Sequence, residues 1–141
     1  MVGILLYSPK NDINWGSIVR IAHNFNVDFL ITINQRYKRT SADTPNTTKH
    51  IPVFHYKNLN DFFESYPKEC QLVSLEMKNS RPLESFSHPI NALYCFGPES
   101  GNLPEDLLNK SIKLKIETNH CLNQAVCAGI TLYDRHLKFL K

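Results

Sequence analysis

The segment Ala92–Gly101, which reads ALYCFGPESG, runs from five apolar residues directly into a loop with two glycines. A short apolar run of this kind is typical of a strand that is covered on both faces of a sheet. Similar runs occur earlier in the chain, at Val2–Tyr7, Phe29–Ile33, Ile51–Tyr56 and Leu72–Leu75. The sequence therefore predicts at least five strands, most of them buried.

Segments with helical spacing separate these strands. Apolar residues recur every three or four positions from residue 15 to residue 25, and again from residue 122 to residue 140. Shorter helices are predicted after Asn58 or Asn60 and from Pro104, a sixth strand at residues 112–116, and an irregular connector at 81–89. Strands that alternate with helices predict one α/β domain over residues 1–141, with a mostly parallel sheet and helices on both faces.

Composition narrows the class of protein further. The chain is 42% hydrophobic, which is too apolar for a disordered protein, and it has no apolar run long enough to span a membrane. Sixteen Lys and Arg against 13 Asp and Glu give a net charge of +3, which fits a polyanionic partner without requiring one. Four cysteines without a CxxC pair predict reduced thiols in a cytoplasmic protein and no metal site.

Three loops follow predicted strands, where open α/β sheets bind ligands. They are residues 14–20, 97–104 and 121–125. Taken singly, each has an ordinary interpretation, since Asn14 and Asn123 fit helix caps, Arg20 fits a solvated helix residue, and the glycines fit turns. None matches the phosphate loop GK[ST] or the dinucleotide motif GxGxxG.

In combination the three loops are more specific. They read NxGxxxR at residues 14–20, FGPExGxLP at 96–104 and LNxAVxAGIxLYD at 122–134. This ordered triplet resembles the SpoU/TrmH group of the SPOUT RNA methyltransferases, and the resemblance runs from Gly3 to Tyr133. It is strongest for small single-domain members that modify tRNA, often at the wobble nucleotide of the anticodon loop.

The resemblance implies a deep trefoil knot near the C-terminus, a rare exception to the rule that chains are unknotted. It also implies that S-adenosylmethionine is bound in the knot and released as S-adenosylhomocysteine, without a metal. The matching positions for this cofactor are Leu75, Gly97, Glu99, Gly101, Ile116 and Leu122.

The reaction implied is methyl transfer to a ribose 2′-hydroxyl, with Arg20 in the central role. A guanidinium is almost never a base, so either a substrate phosphate takes part in the proton transfer or Arg20 orients the hydroxyl and stabilises the oxyanion. The second is our minimal interpretation. The resemblance assigns Asn14, Glu99 and Asn123 to the same catalytic site.

RNA contacts are expected in the polar segment from Asn34 to His50. It contains Arg36, Lys38, Arg39 and Lys49 beside Tyr37, a combination suited to phosphates and a stacked base. A solvated surface loop is the alternative. The expected RNA is tRNA, with ribosomal RNA next.

The final helix carries one broad apolar face in the sequence, including small residues at 125, 128 and 129. Intramolecular packing explains this pattern, and the resemblance implies instead a homodimer in which the first and last helices pack across a two-fold axis and both chains complete each site.

One position departs from the family pattern, because Cys121 stands where serine is usual. We expect activity to be retained. The alternatives are a catalytically weak RNA-binding or assembly protein and a small-molecule methyltransferase.

Overall fold

A computed structural model describes residues 1–10, 12–35, 50–98 and 101–140 of the chain. The strands are β1 (Val2–Tyr7), β2 (Phe29–Ile33), β3 (Val53–Tyr56), β4 (Gln71–Leu75), β5 (Arg81–Pro82), β6 (Ala92–Phe96) and β7 (Ile112–Lys115). The helices are α1 (Asp12–Asn24), α2 (Leu59–Ser65), α3 (Glu105–Asn109) and α4 (Gln124–Phe139), with a 3₁₀ turn at Leu83–Ser85.

The strands form one sheet in the order β3-β2-β1-β6-β4-β7-β5, and every described pairing is parallel. In the centre, Ile4 of β1 pairs with Leu30 of β2 on one side and with Tyr94 of β6 on the other. β1 pairs with β2, the next strand along the chain, on one side and with the much later strand β6 on the other. The sheet therefore changes winding direction beside β1. Open sheets bind ligands at such switch points, outside the carboxyl ends of their strands.

Helices cover both faces of the sheet. Ile4 and Leu6 of β1 belong to the core formed with α1 and α4, whereas Leu5 points into the core on the side of α2 and α3. This alternation explains why the strands are apolar along their whole length rather than at every second residue. The predicted α/β architecture with helices on both faces is confirmed.

Several predicted boundaries change. The helix expected at residues 15–25 begins at Asp12, so Asn14 lies inside its first turn and the interpretation of Asn14 as a cap is wrong. The connector expected to be irregular at 81–89 contains β5, which pairs with the edge of β7, and the 3₁₀ turn. A two-residue strand that includes a proline has no periodicity to reveal it. Asn58 caps α2 with its side chain, as predicted.

Partly buried hydrogen bonds tie the C-terminal half of α4 to the connector before β6. His88 Nδ1 lies 2.6 Å from the Tyr94 hydroxyl, and His88 Nε2 lies 2.8 Å from an Asp134 carboxylate oxygen. A carboxylate only accepts, so neutral His88 donates from Nε2 to Asp134 and accepts from Tyr94 at Nδ1. Burial lowers the pKa of His88, against the opposing effect of Asp134, and burial raises the pKa of Tyr94 to about 12.

Two cations of α4 complete this arrangement, which we call the His88 network: His88, Tyr94, Asp134, Arg135 and Lys138. The Arg135 guanidinium donates to the Tyr94 hydroxyl and to the backbone carbonyls of residues 89 and 90. The Lys138 ammonium lies 2.6 Å from the Asp134 carboxylate and donates to the carbonyl of residue 83. The network therefore fixes where α4 lies on the sheet.

The broad apolar face predicted for the last helix is divided in the structure into a buried row and an exposed row. Ala125, Ala128 and Leu132 are buried in the core shared with α1. A second row is exposed, which we call the α4 stripe: Val126, Ile130, Tyr133, Leu137 and Leu140. The small residues therefore serve intramolecular packing, and a different row remains open to a partner.

Among the described helices, none has the length and apolar character needed to cross a bilayer. The four cysteines are free; Cys70 and Cys95 are buried as expected, whereas Cys121 is exposed. The predicted knot stays a prediction.

Candidate active site

A cavity of about 500 Å³ opens at the carboxyl edge of the sheet. Its walls come from the ends of β4, β6 and β7, from the loop after β6 and from the turn that leads into α4. A volume of this size is typical of sites that enclose a small organic ligand. The residues that matter below are Leu75, Phe96, Gly97, Gly101, Ile116, Cys121, Leu122, Asn123, Gln124 and Cys127.

Five of the six residues predicted for cofactor binding line this cavity. Leu75, Ile116 and Leu122 supply apolar wall, and Gly97 and Gly101 supply backbone from the loop after β6. They come from four separate parts of the sequence, so their convergence is a result of the fold rather than of proximity along the chain. Glu99, the sixth, lies outside the described residues.

The glycine loop has a conformation that suits close contact with a ligand. Gly101 has a φ of +120°, a backbone geometry that residues with a Cβ rarely adopt. A Cβ at Gly97 would lie 3.4 Å from the backbone nitrogen of Leu103, where the loop folds back. At Gly97 and Gly101 the loop therefore presents backbone alone, beside the lining residues Pro98, Asn102 and Leu103.

Two predicted catalytic asparagines meet next to the cavity. Asn123 Nδ2 donates to Asn14 Oδ1 over 2.9 Å, which joins positions 109 residues apart in the chain. The same Asn123 side chain caps α4, since its Oδ1 accepts from the backbone nitrogens of Ala125 and Val126. Asn14 is buried in α1, 5% exposed. The cap interpretation of Asn123 is correct, and the asparagine also has a second partner.

Arg20, the predicted central catalytic residue, is not among the described residues that line the cavity. Its side chain is exposed on α1, and the helix places it on the surface rather than in the core. Its catalytic role stays a prediction. The predicted RNA-contact residues Arg36, Lys38, Arg39 and Lys49 lie outside the described residues.

The structure adds cavity residues that the sequence did not single out. Gln124 begins α4 and its Nε2 donates to the Gly97 carbonyl, so it links the helix to the glycine loop. Cys127, one turn further along α4, also lines the cavity, and burial raises the pKa of its thiol, with a smaller contribution from Cys121. In a sequence, a glutamine at the start of a helix is typical of an exposed residue. The neighbouring residues give no indication that Gln124 is buried.

In the described part of the chain, no group of three or more His, Cys, Asp and Glu side chains could hold a metal ion. The polar groups at the cavity are amides, backbone and thiols, together with the side chains of Glu76, Lys115 and Thr118.

A parallel α/β sheet with a ligand-sized cavity at its carboxyl edge is typical of a broad class of enzymes and binding proteins, and several solved structures share this fold. A structure described by its work on 2-OH methylation of C/U34 on tRNA has a TM-score of 0.87 at 23% identity, covering 99% of this chain and 97% of that one. The TrmH/SpoU tRNA modifying enzyme of A. aeolicus has a TM-score of 0.84 at 19% identity, covering 97% and 74%.

A third similar structure is the SpoU methyltransferase AviRb of Streptomyces viridochromogenes with AdoMet. Its TM-score is 0.85 at 19% identity, with 98% of this chain and 60% of that chain covered, so this chain spans about three fifths of that protein. Comparison with curated protein sequences finds no significant match. The model of the SpoU rRNA Methylase family matches residues 1–133, and the chain belongs to that family.

The cavity residues fit S-adenosylmethionine. Apolar side chains at Leu75, Ile116 and Leu122 offer surfaces for a purine, and the glycine loop offers backbone polar groups at close range. Gln124 adds a buried side-chain acceptor, Oε1, that has no partner in the described part of the chain. The lining thus combines apolar side chains and amides, which suit the nucleoside moiety, with the polar side chains of Glu76, Lys115 and Thr118.

Proposed function

We propose that this protein transfers a methyl group from S-adenosylmethionine to a ribose 2′-hydroxyl of RNA, with tRNA as the substrate. The observation that carries this proposal is the cavity at the carboxyl edge, where residues from four parts of the chain converge beside the Asn14–Asn123 pair. Leu75, Ile116 and Leu122 enclose the adenine, and the backbone at Gly97 and Gly101 approaches the adenosyl group.

S-adenosylmethionine supplies an electrophilic methyl group when bound. The task of the chain is to position the hydroxyl that attacks it and to stabilise the negative charge that develops on the oxygen. A guanidinium keeps its proton at neutral pH, so Arg20 acts as a hydrogen-bond donor and a positive charge rather than as a base. Asn123, held by Asn14 and by the start of α4, offers a rigid amide at the edge of the cavity.

The choice of tRNA is supported by a structure that covers almost the whole of both chains and whose subject is tRNA methylation. The cluster of Arg36, Lys38, Arg39 and Lys49 supplies cations for phosphate contacts. Ribosomal RNA is the alternative substrate that the same chemistry allows. The proposal includes a cytoplasmic location, which the four free cysteines support.

A homodimer is the second part of this proposal. The α4 stripe exposes apolar side chains on consecutive turns, with Tyr133 54% and Leu137 42% exposed, and Ile13 on neighbouring α1 is 72% exposed. A continuous apolar surface of this kind is typical of a protein interface. Arg20 is on the surface of the same pair of helices. A second copy packed there would place the Arg20 of one chain beside the cavity of the other, so that both chains form each site.

The dimer is tested by paired substitutions measured by sedimentation equilibrium. Ile130→Asp places a charge in the α4 stripe, whereas Val53→Asp makes the same change on β3 at the sheet edge. The two sites are matched in exposure, at 38% and 40%. We expect Ile130→Asp to give monomers and Val53→Asp to leave the dimer intact. A wild-type protein that sediments as a monomer contradicts the dimer.

The methyl transfer is tested by incubating the protein with S-adenosylmethionine and unmodified tRNA, followed by nucleoside mass spectrometry. We expect one 2′-O-methyl nucleoside, and a loss of about 100-fold in Arg20→Ala with S-adenosylhomocysteine affinity unchanged. The matched control is Arg81→Ala, an exposed arginine on β5, which should act like wild type.

The other outcomes are equally informative. Transfer to ribosomal RNA but not tRNA would reassign the substrate and keep the chemistry. Tight RNA binding without product in the wild type would favour an RNA-binding protein without turnover. Salt should weaken RNA binding steeply if the polar segment from Asn34 to His50 contacts phosphates. RNA binding that does not change with salt would contradict that contact.

A further inference from the structure

Gln124 places a buried hydrogen-bond acceptor at the cavity without a partner. The residue is the first of α4 and is 7% exposed. Its Nε2 donates to the Gly97 carbonyl, and its Oε1 is the buried side-chain polar atom that lacks a hydrogen bond within the described part of the chain. Since a carbonyl can only accept, the amide must turn its nitrogen towards Gly97, and this contact fixes Oε1 as the open end.

An open acceptor of this kind needs a physical reason. Buried polar groups in folded proteins nearly always find a partner, because they have lost their hydrogen bonds to water. Packing at the start of α4 does not require an amide, since leucine or methionine fills the same space, and Asn123 already caps the helix. The amide therefore fits a site in which the missing donor arrives with a ligand.

We propose, as an extension that rests on the proposed binding of S-adenosylmethionine, that Gln124 is a cofactor-binding residue. Its Oε1 accepts a hydrogen bond from an N–H or O–H group of the bound molecule while Nε2 remains on the Gly97 carbonyl. Gln124 lines the cavity, so a turn of its side chain about that contact would bring the buried Oε1 towards the bound molecule.

The molecule offers three kinds of donor, and they share this chemistry. They are the 6-amino group of adenine, the ribose hydroxyls and the ammonium of the amino-acid end. Each would meet the same neutral acceptor, and the experiment separates them. In every case the Gln124 side chain would contact both the Gly97 carbonyl and the bound molecule. Binding would therefore link the loop after β6 to the first turn of α4.

The first measurement is calorimetric titration of the intact protein with S-adenosylhomocysteine. Gln124→Met keeps the length of the side chain and removes both polar atoms. We expect its dissociation constant to rise about tenfold, the usual effect of one hydrogen bond. The matched control is Gln71→Met, the same change at an exposed residue of β4 that does not line this cavity, and we expect a change of less than about twofold.

The second measurement identifies the donor. Wild type and Gln124→Met are titrated with analogues of S-adenosylhomocysteine in which hydrogen replaces the 6-amino group, one ribose hydroxyl or the α-amino group. The analogue that lacks the true donor should bind both proteins equally, and the others should keep the tenfold difference. A difference that persists with every analogue means an indirect effect through Gly97 and overturns the assignment.

The third measurement needs no variant at position 124. The chain has three glutamines, at positions 35, 71 and 124, so selective ¹³C labelling gives few side-chain carbonyl signals. Gln35→Met and Gln71→Met assign two of them, and the remaining signal belongs to Gln124. We expect it to shift on addition of S-adenosylhomocysteine while the other two stay in place.

The outcomes separate the two proposals. If Gln124→Met binds S-adenosylhomocysteine as tightly as wild type and its carbonyl signal does not move, the amide is a structural link only and this inference fails, although the proposed function stands. If the wild-type protein binds no S-adenosylhomocysteine at all, the proposed function fails as well.

Discussion

The two ends of α4 differ in whether their polar side chains have hydrogen-bond partners. Its C-terminal half carries the His88 network, where the histidine, the tyrosine and the carboxylate are joined by hydrogen bonds in the core. Its N-terminal end borders the cavity and includes the unpartnered Oε1 of Gln124 and the exposed thiol of Cys121. One end is closed with its polar atoms satisfied, and the other keeps polar atoms available.

This difference separates structural polar groups from functional ones. A buried network whose members satisfy each other stabilises one arrangement and has nothing left to offer a ligand. Open acceptors at a cavity are tolerated because the helix is already held at its far end. Substitutions at the two ends should therefore change different quantities, binding and turnover at one end and the free energy of unfolding at the other.

The largest effect is expected for Asn123→Ala at the open end. The change removes the helix cap and the contact with Asn14, and we expect methyl transfer to fall about 100-fold, with about 1 kcal/mol of stability lost. The control is Asn58→Ala, another exposed cap asparagine, at α2, which should lose similar stability and no activity. Turnover measurements give the change in activity, and urea denaturation gives the change in the free energy of unfolding. Equal activity in the two variants would refute a role for Asn123 in methyl transfer.

The next effect is expected at the closed end. His88→Leu leaves the Tyr94 hydroxyl without its acceptor in the core, and we expect the free energy of unfolding to fall by about 2 kcal/mol. S-adenosylhomocysteine affinity should not change. His120→Leu, at an exposed histidine, should stay within about 0.5 kcal/mol of wild type in the same denaturation series. A loss of ligand affinity in His88→Leu would mean that the two ends are coupled.

A smaller effect follows from pH. Burial lowers the pKa of folded His88 below its ordinary 6.5, so the unfolded chain takes up a proton first as the pH falls. The contribution of neutral His88 to stability is therefore complete above about pH 6.5 and declines below it, until the folded pKa is reached. The difference in unfolding free energy between wild type and His88→Gln isolates this slope from the other histidines.

That difference should shrink between about pH 7.5 and about pH 5.5. A constant difference across the range would show that His88 titrates alike in the folded and unfolded chains.

The smallest effect is expected for Cys121→Ser. The thiol is exposed at the mouth of the cavity, so a hydroxyl in its place changes neither burial nor the position of Asn123. We expect turnover within about threefold of wild type, because the thiol and hydroxyl differ mainly in hydrogen-bond strength. A gain of more than about tenfold would indicate that the serine usual in the family has a function that this chain lacks.

Sequence patterns predict the layers of this fold well and its long-range polar contacts poorly. The apolar runs of β1, β2 and β6 end where expected, because burial on both faces leaves a signal at every residue. The His88 network has no such signal, since His88 and Asp134 are 46 positions apart and each is unremarkable alone. β5 is too short to show a period.

The candidate site divides in the same way. Leu75 ends β4, Ile116 follows β7 and Gly97 follows β6. Their place at the carboxyl edge could therefore be predicted from the strands, and the family resemblance selected them. Gln124 could not be predicted, because its burial depends on the approach of Gly97 from 27 positions earlier in the chain. The role of Arg20 stays a prediction, and in the proposed homodimer it depends on a second copy, which no pattern within one chain determines.

The hydrogen bond between Asn14 and Asn123 has a consequence for biosynthesis. Because it joins residues 109 positions apart, the site requires the last helix to dock against the first. While a ribosome is still making the chain, the strands that flank α1 can begin to pair, yet the pocket lacks one wall until α4 has emerged. Growing polypeptides are therefore expected to be inert towards both methyl donor and RNA until α4 has been translated.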